Sequence, residues 1–313
     1  MKQATPPNAP ITLPSDLTVL ERGWLSANNM LFQGRHGTAL VDSGYSSHAD
    51  QTVDLVAASL NGKPLDLLIN THLHSDHCGG NAALQQHWPE LITRIPPGQL
   101  SEVRDWNPVA LGYQPTGQHC PAFKADGTLT PGTDVALGDR LWQVHAAPGH
   151  DTHAVILFEP ENRLLISGDA LWENGFGVVF PELDGEEAFG EVRATLDVIE
   201  SLAPLIVLPG HGAVFADVPE AIARARKRLA GFEADPVKHA RHAAKVLIIY
   251  KLLEWQKKPL AEVMDWLGDT PYFCLIQRRF APDTHVLQWG EAVIQELVKN
   301  GAAKLDGPFL MPA

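Results

Sequence analysis

Leu65 to His77 reads LDLLINTHLHSDH, a buried strand running straight into three histidines and an aspartate. The run Leu65 to Asn70 lacks polar alternation, the pattern of a strand covered on both faces in a layered α/β arrangement. With 14 histidines in 313 residues, H-x-H-x-D-H would arise by chance in roughly 10⁻³ of such chains. Residues two apart in an extended segment project to the same side, so His72 and His74 can share one metal. Asp76 and His77, where the chain turns into a helix beginning near Gly79, project towards a second position. Neutral imidazoles and a carboxylate are ligands that zinc accepts, and iron or manganese less selectively.

On the N-terminal side, Val19 to Arg22, Asn29 to Gln33 and Thr38 to Val41 read as strands, and Ser47 to Leu60 as an amphipathic helix stopped at Asn61-Gly62. Further along, Arg140 to Ala146, Ala154 to Glu159 and Arg163 to Ser167 read as strands, Gly185 to Ser201 as a helix, and Leu205 to Leu208 as one more strand. Three of these strands run into a ligand type, in Ala147-Pro148-Gly149-His150, Ser167-Gly168-Asp169 and Pro209-Gly210-His211. Sites in α/β folds form at the carboxyl ends of strands, and the glycines permit tight turns that aim the next side chain.

Between Pro96 and Thr133 the periodicity fails. Six prolines and five glycines punctuate the segment, with Trp106, Tyr113, His119 and Phe123 scattered through it. Such aromatics suit a cover over the cleft, contributed by Trp106, Tyr113 or Phe123, better than a disordered loop.

A second unit is expected over residues 217–313, after a flexible arm at 1–18 and a catalytic domain at 19–216. Asp235-Pro236 starts a helix through Trp255, Pro259 opens another ending at Leu267-Gly268, Thr270-Pro271 opens a third, and Thr284 caps a fourth to Lys299. The tail then alternates around Asp306-Gly307, a hairpin signal. Helices followed by a small hairpin suggest a winged-helix-like module, expected to form a wall of the active site or a subunit interface. A homodimer is one way of covering its surplus apolar surface.

Net charge is −13, from 24 Lys and Arg against 37 Asp and Glu. Residues 217–313 hold 14 cationic and 12 acidic side chains, so the preceding unit carries −15. That balance disfavours nucleic acid and an anionic membrane as partners. The densest apolar run, Val246 to Leu253, is broken by Lys251 and too short for a membrane span. The N-terminus has no apolar signal region, and three separated cysteines, Cys78, Cys120 and Cys274, give no disulfide framework. A reducing, cytoplasmic setting is expected.

Taken in order, these motifs resemble the metallo-β-lactamase superfamily over roughly Val19 to Ala216: Asp42 in the VDSG turn, His72, His74, Asp76, His77, His150, Asp169 and His211. The resemblance implies an αββα sandwich, with His72, His74 and His150 on one metal, Asp76, His77 and His211 on the other, and Asp169 bridging them. Asp42 would orient a ligand histidine. Two divalent ions, zinc first and iron or manganese next, would lower the pKa of a bridging water until hydroxide exists near neutral pH, and polarise the bond to be cleaved. Asp76 could also orient that hydroxide, and Asp169 would act with it in catalysis.

Where this sequence departs from family patterns, the substrate narrows. True β-lactamases of the superfamily lack the bridging aspartate, which sets antibiotic hydrolysis aside. Ala170 to Phe180, ALWENGFGVVF, carries no Lys or Arg, where glyoxalase II-like enzymes place residues that hold glutathione. The expected function is therefore hydrolysis of a small-molecule ester or thioester; the alternative is a phosphodiesterase or endoribonuclease acting on single-stranded RNA. A third reading is a non-catalytic regulator, in which the sandwich binds a ligand and the second unit binds DNA or protein.

Several further residues have two readings each. His153 is a proton donor to the leaving group or a structural histidine, and Cys78 an activated thiol or a packing residue. Trp172 and Phe176 belong to the core or to the pocket wall. Arg224, Arg226, Lys227 and Arg228 are expected on a solvated helix face.

Overall fold

The computed structural model describes residues 11–313; residues 1–10 of the expected arm lie outside them. Strands β1 (Leu17–Leu20), β2 (Asn29–Gly34) and β3 (Gly37–Val41) form an antiparallel meander, and α1 (Ala49–Leu60) returns the chain to β4 (Leu67–Ile69), parallel to β3. Helices α2 (Ser75–Cys78) and α3 (Asn81–His87) lead to β5 (Ile92–Ile95), and α4 (Leu100–Arg104) precedes β6 (Gly127–Thr128). This first sheet is ordered β1-β2-β3-β4-β5-β6. A second sheet begins with the antiparallel strands β7 (Asp134–Leu137), β8 (Arg140–Ala146), β9 (Val155–Glu159) and β10 (Leu164–Gly168). After α5 (Phe180–Asp184) and α6 (Phe189–Leu202), β11 (Ile206–Pro209) adds parallel to β10, giving the order β11-β10-β9-β8-β7.

The period of two along each strand builds the layers. Met30, Phe32, Ala39, Val41 and Ile69 of the first sheet meet Trp142, Val144, Val155, Leu157, Leu164 and Ile166 of the second in one core. Their neighbours Leu31, Leu40 and Leu68 face outward onto α1 and α3 through Val56, Leu60 and Leu84. On the far side, Ile156, Phe158, Leu165 and Val207 are covered by α6 and by α7 (Val218–Ala234). The result is the expected αββα sandwich.

Beyond α7, α8 (Pro236–Trp255), β12 (Lys258–Pro259), α9 (Leu260–Asp269), α10 (Pro271–Phe280), α11 (Val286–Lys299), β13 (Ala303–Asp306) and β14 (Phe309–Pro312) surround a further core that includes Leu247, Ile248, Leu252, Phe273 and Ile294 and that Val178 and Leu183 join from the region of α5. The three strands form a small sheet ordered β12-β14-β13. Asp235 caps α8 by accepting from the Lys238 amide at 3.0 Å, ahead of Pro236 at the first helical position.

Some boundaries differ from expectation. The helix expected from Gly185 begins at Phe189, because Gly185 instead closes α5 in the left-handed region. α11 is capped by the His285 ring rather than by Thr284, and the hairpin turn is Gly307-Pro308, since Asp306 pairs with Phe309. The proline-rich segment contains α4 and β6 and is held by its own apolar cluster, in which Leu111, Tyr113, Cys120 and Phe123 pack with Leu73, Cys78, Ile95 and Val103. Its aromatics therefore serve as a core for the segment itself.

Candidate metal centre

β3, β4, β8, β10 and β11 all end at the same edge of the sandwich, and the loops leaving them deliver Asp42, His72 with His74, His150, Asp169 and His211. The ladder between β10 and β11 shifts register between Ile166 and Gly168, an irregularity that re-aims the strand end carrying Asp169. The ring nitrogens of His72, His74 and His150 converge, with His72 Nε2 3.1 Å from His74 Nδ1 and His74 Nδ1 2.8 Å from His150 Nε2. Asp76, His77, Asp169 and His211 form a second group, whose potential ligand atoms all lie within 4.8 Å of one another. The Asp169 carboxylate stands between the two. Its Oδ2 is 3.4 Å from His150 Nε2, and its Oδ1 is 3.3 Å from His77 Nε2.

Hydrogen bonds behind the rings set their tautomers. Asp42 is buried and accepts from the Thr71 amide, from Thr71 Oγ1 and from His77 Nδ1, each at 2.8 Å. His150 Nδ1 donates to the Val178 carbonyl at 2.5 Å. Both rings thus turn Nε2 towards the clusters. Gly210 provides the space, since a Cβ there would stand 2.3 Å from Asp169 Oδ1 and 2.8 Å from His77 Cε1. The glycine of the PGH stretch is therefore required for close approach.

The two groups differ in charge. Burial pushes His74 and His150 down to about 4, and burial with the neighbouring rings holds His72 well below the ordinary histidine range. Burial opposes a charge on His77 as well, yet the Asp169, Asp42 and Asp76 carboxylates hold it well above its ordinary value. Despite burial, His77 and His211 keep Asp169 and Asp76 below the usual carboxylate range. His77 Nε2 is buried, faces both carboxylates and has no hydrogen-bond partner. Three converging neutral nitrogens beside two ionised carboxylates and an orphaned imidazole nitrogen form a donor set that fits divalent cations.

A cavity of about 1030 Å³ opens onto His74, Asp76, His150, Asp169 and His211. Trp172 lines it, and its indole N–H donates to Asp169 Oδ1 at 3.1 Å. Phe176, in contrast, is buried against Phe232 in the outer core. His153 also lines the cavity, packed against Gly98. Of the cover aromatics, only Tyr113 reaches the cavity; Trp106 and Phe123 pack edge to face on each other, with ring centroids 5.5 Å apart, and are not part of its lining, and residues 109–112 form the wall instead. Cys78 is a packing residue whose thiol burial pushes up, 3.1 Å from the Tyr113 hydroxyl. Across the cleft, α8 supplies Val246, Ile249, Tyr250 and Leu253. Clasps hold that helix in place: Tyr250 donates to Leu25 O at 3.1 Å, and Tyr45 to Glu254 at 2.9 Å.

The expected solvated basic face of α7 divides. Arg226 pairs with Asp197 and Glu200, each at 2.7 Å, whereas Arg228 turns inward to the cavity. Sequence reasoning also missed Trp24, which is 58% exposed yet stacked on His211 with ring centroids 5.4 Å apart, and Asp151, 3.7 Å from His74 Nε2. The position of Asp151 directly after His150 was a usable signal; Trp24 gave none.

The family model of the metallo-beta-lactamase superfamily matches residues 22–211, more than half of the chain. A hydroxyacylglutathione hydrolase of Anaeromyxobacter dehalogenans is 32% identical over 208 residues, 63% of this chain and 68% of its own length. An acyl-coenzyme A thioesterase of Gallus gallus is 25% identical over 207 residues, 60% of this chain and 73% of its own. The crystal structure of a metallo-beta-lactamase family protein from Thermus thermophilus superposes with a TM-score of 0.57 at 20% identity, covering 96% of this chain and 100% of that one. With the αββα layers and the ligand-bearing loops at one sandwich edge, these matches show that the chain belongs to the metallo-beta-lactamase superfamily.

Proposed function

We propose that this metal-dependent hydrolase cleaves a thioester, or a comparable activated ester, of a small or medium organic acid. The observation that carries the reading is the Asp169 carboxylate facing His150 with one oxygen and His77 with the other. It supports a dinuclear centre in which His72, His74 and His150 would hold one ion and Asp76, His77 and His211 the second, with Asp169 placed to serve both. The nitrogen and carboxylate donor set favours zinc, with iron or manganese as alternatives. Such ions supply a water of lowered pKa and polarisation of a carbonyl oxygen.

The chain's own residues do the rest. Asp42 fixes the His77 tautomer, and Trp172 fixes one Asp169 oxygen. Val246, Ile249 and Leu253 exclude water from one side of the cleft, and their apolar wall suits an acyl group. Thioester activity in two relatives agrees with this substrate class. The boundaries expected at 18 and 216 shift, because Leu17 already pairs in β1 and α7 packs on the second sheet; we divide the chain into an arm before β1, a catalytic sandwich from β1 through α7 and a winged-helix-like module from α8 onward that walls the site. Among the described residues no helix is long and apolar enough to cross a membrane. Cys78 and Cys120, far apart in the sequence, bring their Sγ atoms within 3.8 Å of one another; the compartment proposed remains the cytoplasm.

The test is hydrolysis by purified, metal-quantified protein. Acyl thioesters, followed by thiol release, are compared with bis-p-nitrophenyl phosphate and a labelled single-stranded RNA. The reading predicts thioester turnover that is lost on chelation and restored by zinc, manganese or iron. Cleavage of RNA without thioester turnover would replace it with the phosphodiesterase alternative.

A further inference from the structure

The cavity wall contributed by α7 and α8 ends in cations. Arg228, His242 and Lys245 all line it. Lys245 has a partner, with Nζ 2.7 Å from Glu296 Oε2, but that carboxylate is shared, because Arg241 Nε donates to its other oxygen at 2.8 Å. Arg228 has no carboxylate partner among the described residues. Its guanidinium is half-buried, and its one hydrogen bond is a long contact from Nη1 to the Phe176 carbonyl at 3.5 Å. Space for it comes from Gly175, where a Cβ would stand 2.6 Å from Nη1. His242 remains neutral near pH 7, as burial, Arg228 and Lys245 push it down to about 4. It can therefore donate or accept a hydrogen bond without adding charge.

A guanidinium removed from water without an anion is costly, all the more conspicuous when the preceding 216 residues carry a net −15. The acidic residues nearest that wall do not explain it: among the described residues neither Glu173, Asp184 nor Glu186, which also line the cavity, forms an ion pair with Arg228, and Asp184 on α5 stands with Tyr272, Glu186 and Arg279. Arg228 is also connected to the candidate metal centre by a short chain of contacts. Gly175, against which it packs, accepts from the Trp172 amide at 2.7 Å, and the Trp172 indole donates to Asp169. No Lys or Arg lies in the loop from Ala170 to Phe180; the second unit brings the charge by another route.

We propose that Arg228, with Lys245 and His242 beside it, forms a subsite for an anionic group of the substrate, a carboxylate or a phosphate distinct from the scissile bond. A planar guanidinium with free N–H donors matches both groups bidentately. The proposal rests on the thioesterase reading above and deepens it: the substrate is a thioester bearing one such anion. The anion comes either from a second carboxylate on the acyl group or from a phosphate on the thiol carrier.

Four thioesters separate the sources. A neutral acyl group and an acyl group ending in a carboxylate are each presented on coenzyme A and on phosphate-free N-acetylcysteamine, to wild type, Arg228→Met and Arg228→Lys. In wild type, at least one anionic arm should exceed the neutral N-acetylcysteamine thioester by ~10-fold or more in kcat/KM. The acyl-carboxylate arm assigns the anion to the acid, and the coenzyme A arm to the carrier. Arg228→Met should erase most of that ratio, chiefly through KM, and Arg228→Lys should retain part of it. Ratios within about twofold in both arms, or a ratio untouched by Arg228→Met, overturn the proposal. Calorimetric titration with coenzyme A and with the free dicarboxylic acid keeps the two readings separate. If no thioester is turned over, the thioesterase reading fails, while anion binding lost in Arg228→Met still supports the subsite and its absence in wild type refutes it.

Discussion

Asp42→Asn nearly preserves volume while it removes the carboxylate charge and replaces one acceptor oxygen by a donor, so its effect falls on the hydrogen bonds that Asp42 accepts. Oδ2 of Asp42 accepts from both Thr71 Oγ1 and His77 Nδ1, while Oδ1 accepts from the Thr71 amide. An asparagine can keep its oxygen at the Thr71 amide only by placing its NH₂ against His77 Nδ1. Two donors then face each other in a buried site, unless His77 shifts its proton to Nε2, the atom directed at Asp169 and Asp76. The first outcome destabilises the ring in its binding orientation and the second removes the Nε2 lone pair, so either way the second cluster holds a cation less well. A hydrogen bond to a charged group contributes about 1.5–3 kcal/mol. At about 1.4 kcal/mol per factor of ten, that range corresponds to ~10- to ~150-fold weaker binding at the Asp76, His77 and His211 position. The assay is competition for zinc or cobalt against a chromophoric chelator, with stoichiometry from elemental analysis and melting of the metal-free protein as a control. The expected result is one ion retained and one weakened. Equal affinity for both ions in wild type and Asp42→Asn would refute the argument that this carboxylate sets the His77 tautomer.

Three further outcomes follow from the geometry. Trp172→Phe keeps an aromatic wall but removes the indole N–H on Asp169 Oδ1; metal affinity should fall by ~3- to ~10-fold, for a net contribution of about 1 kcal/mol, and unchanged metal titration would make Trp172 a wall residue only. Gly210→Ala drives a methyl group into Asp169 and His77, so both ions should be lost together in elemental analysis while far-ultraviolet dichroism retains the fold. Burial pushes His239 and His242 down to about 4 in the folded state, so the unfolded chain takes up protons first as pH falls. Stability from these groups is present above pH 6.5 and declines towards pH 4, by at most about 3 kcal/mol for each. His239→Gln, which preserves an acceptor for the Val179 amide, should flatten metal-free urea unfolding across that window; an unaltered slope would exclude His239 as a source.

What the amino-acid order determined is local chemistry. LDLLIN could only be a strand covered on both sides, and HLHSDH places its ligand types within one extended segment and one turn, so the extended pair His72 and His74 meet at 3.1 Å. A layered α/β arrangement was likewise legible, because unalternating apolar strands must be covered on both faces, and the resemblance of the ordered motifs implied the αββα order; which way each residue of NMLFQ faces, Leu31 onto α1 and Met30 and Phe32 onto the second sheet, was decided by the structure. Side-chain neighbours from distant parts of the chain were not legible. Tertiary structure alone sent Phe176 to the core and Trp172 to the cavity, four residues apart in a loop without periodicity. It folded the proline-rich segment around Trp106 and Phe123, stacked Trp24 on His211, and turned Arg228 inward while Arg226, two residues earlier on the same helix, faces acidic partners. The physical reason is the range of the determinant: backbone periodicity fixes which face of an element is apolar. The partner that meets each face depends on how sheets and helices close over one another, which is decided only when the whole chain has packed.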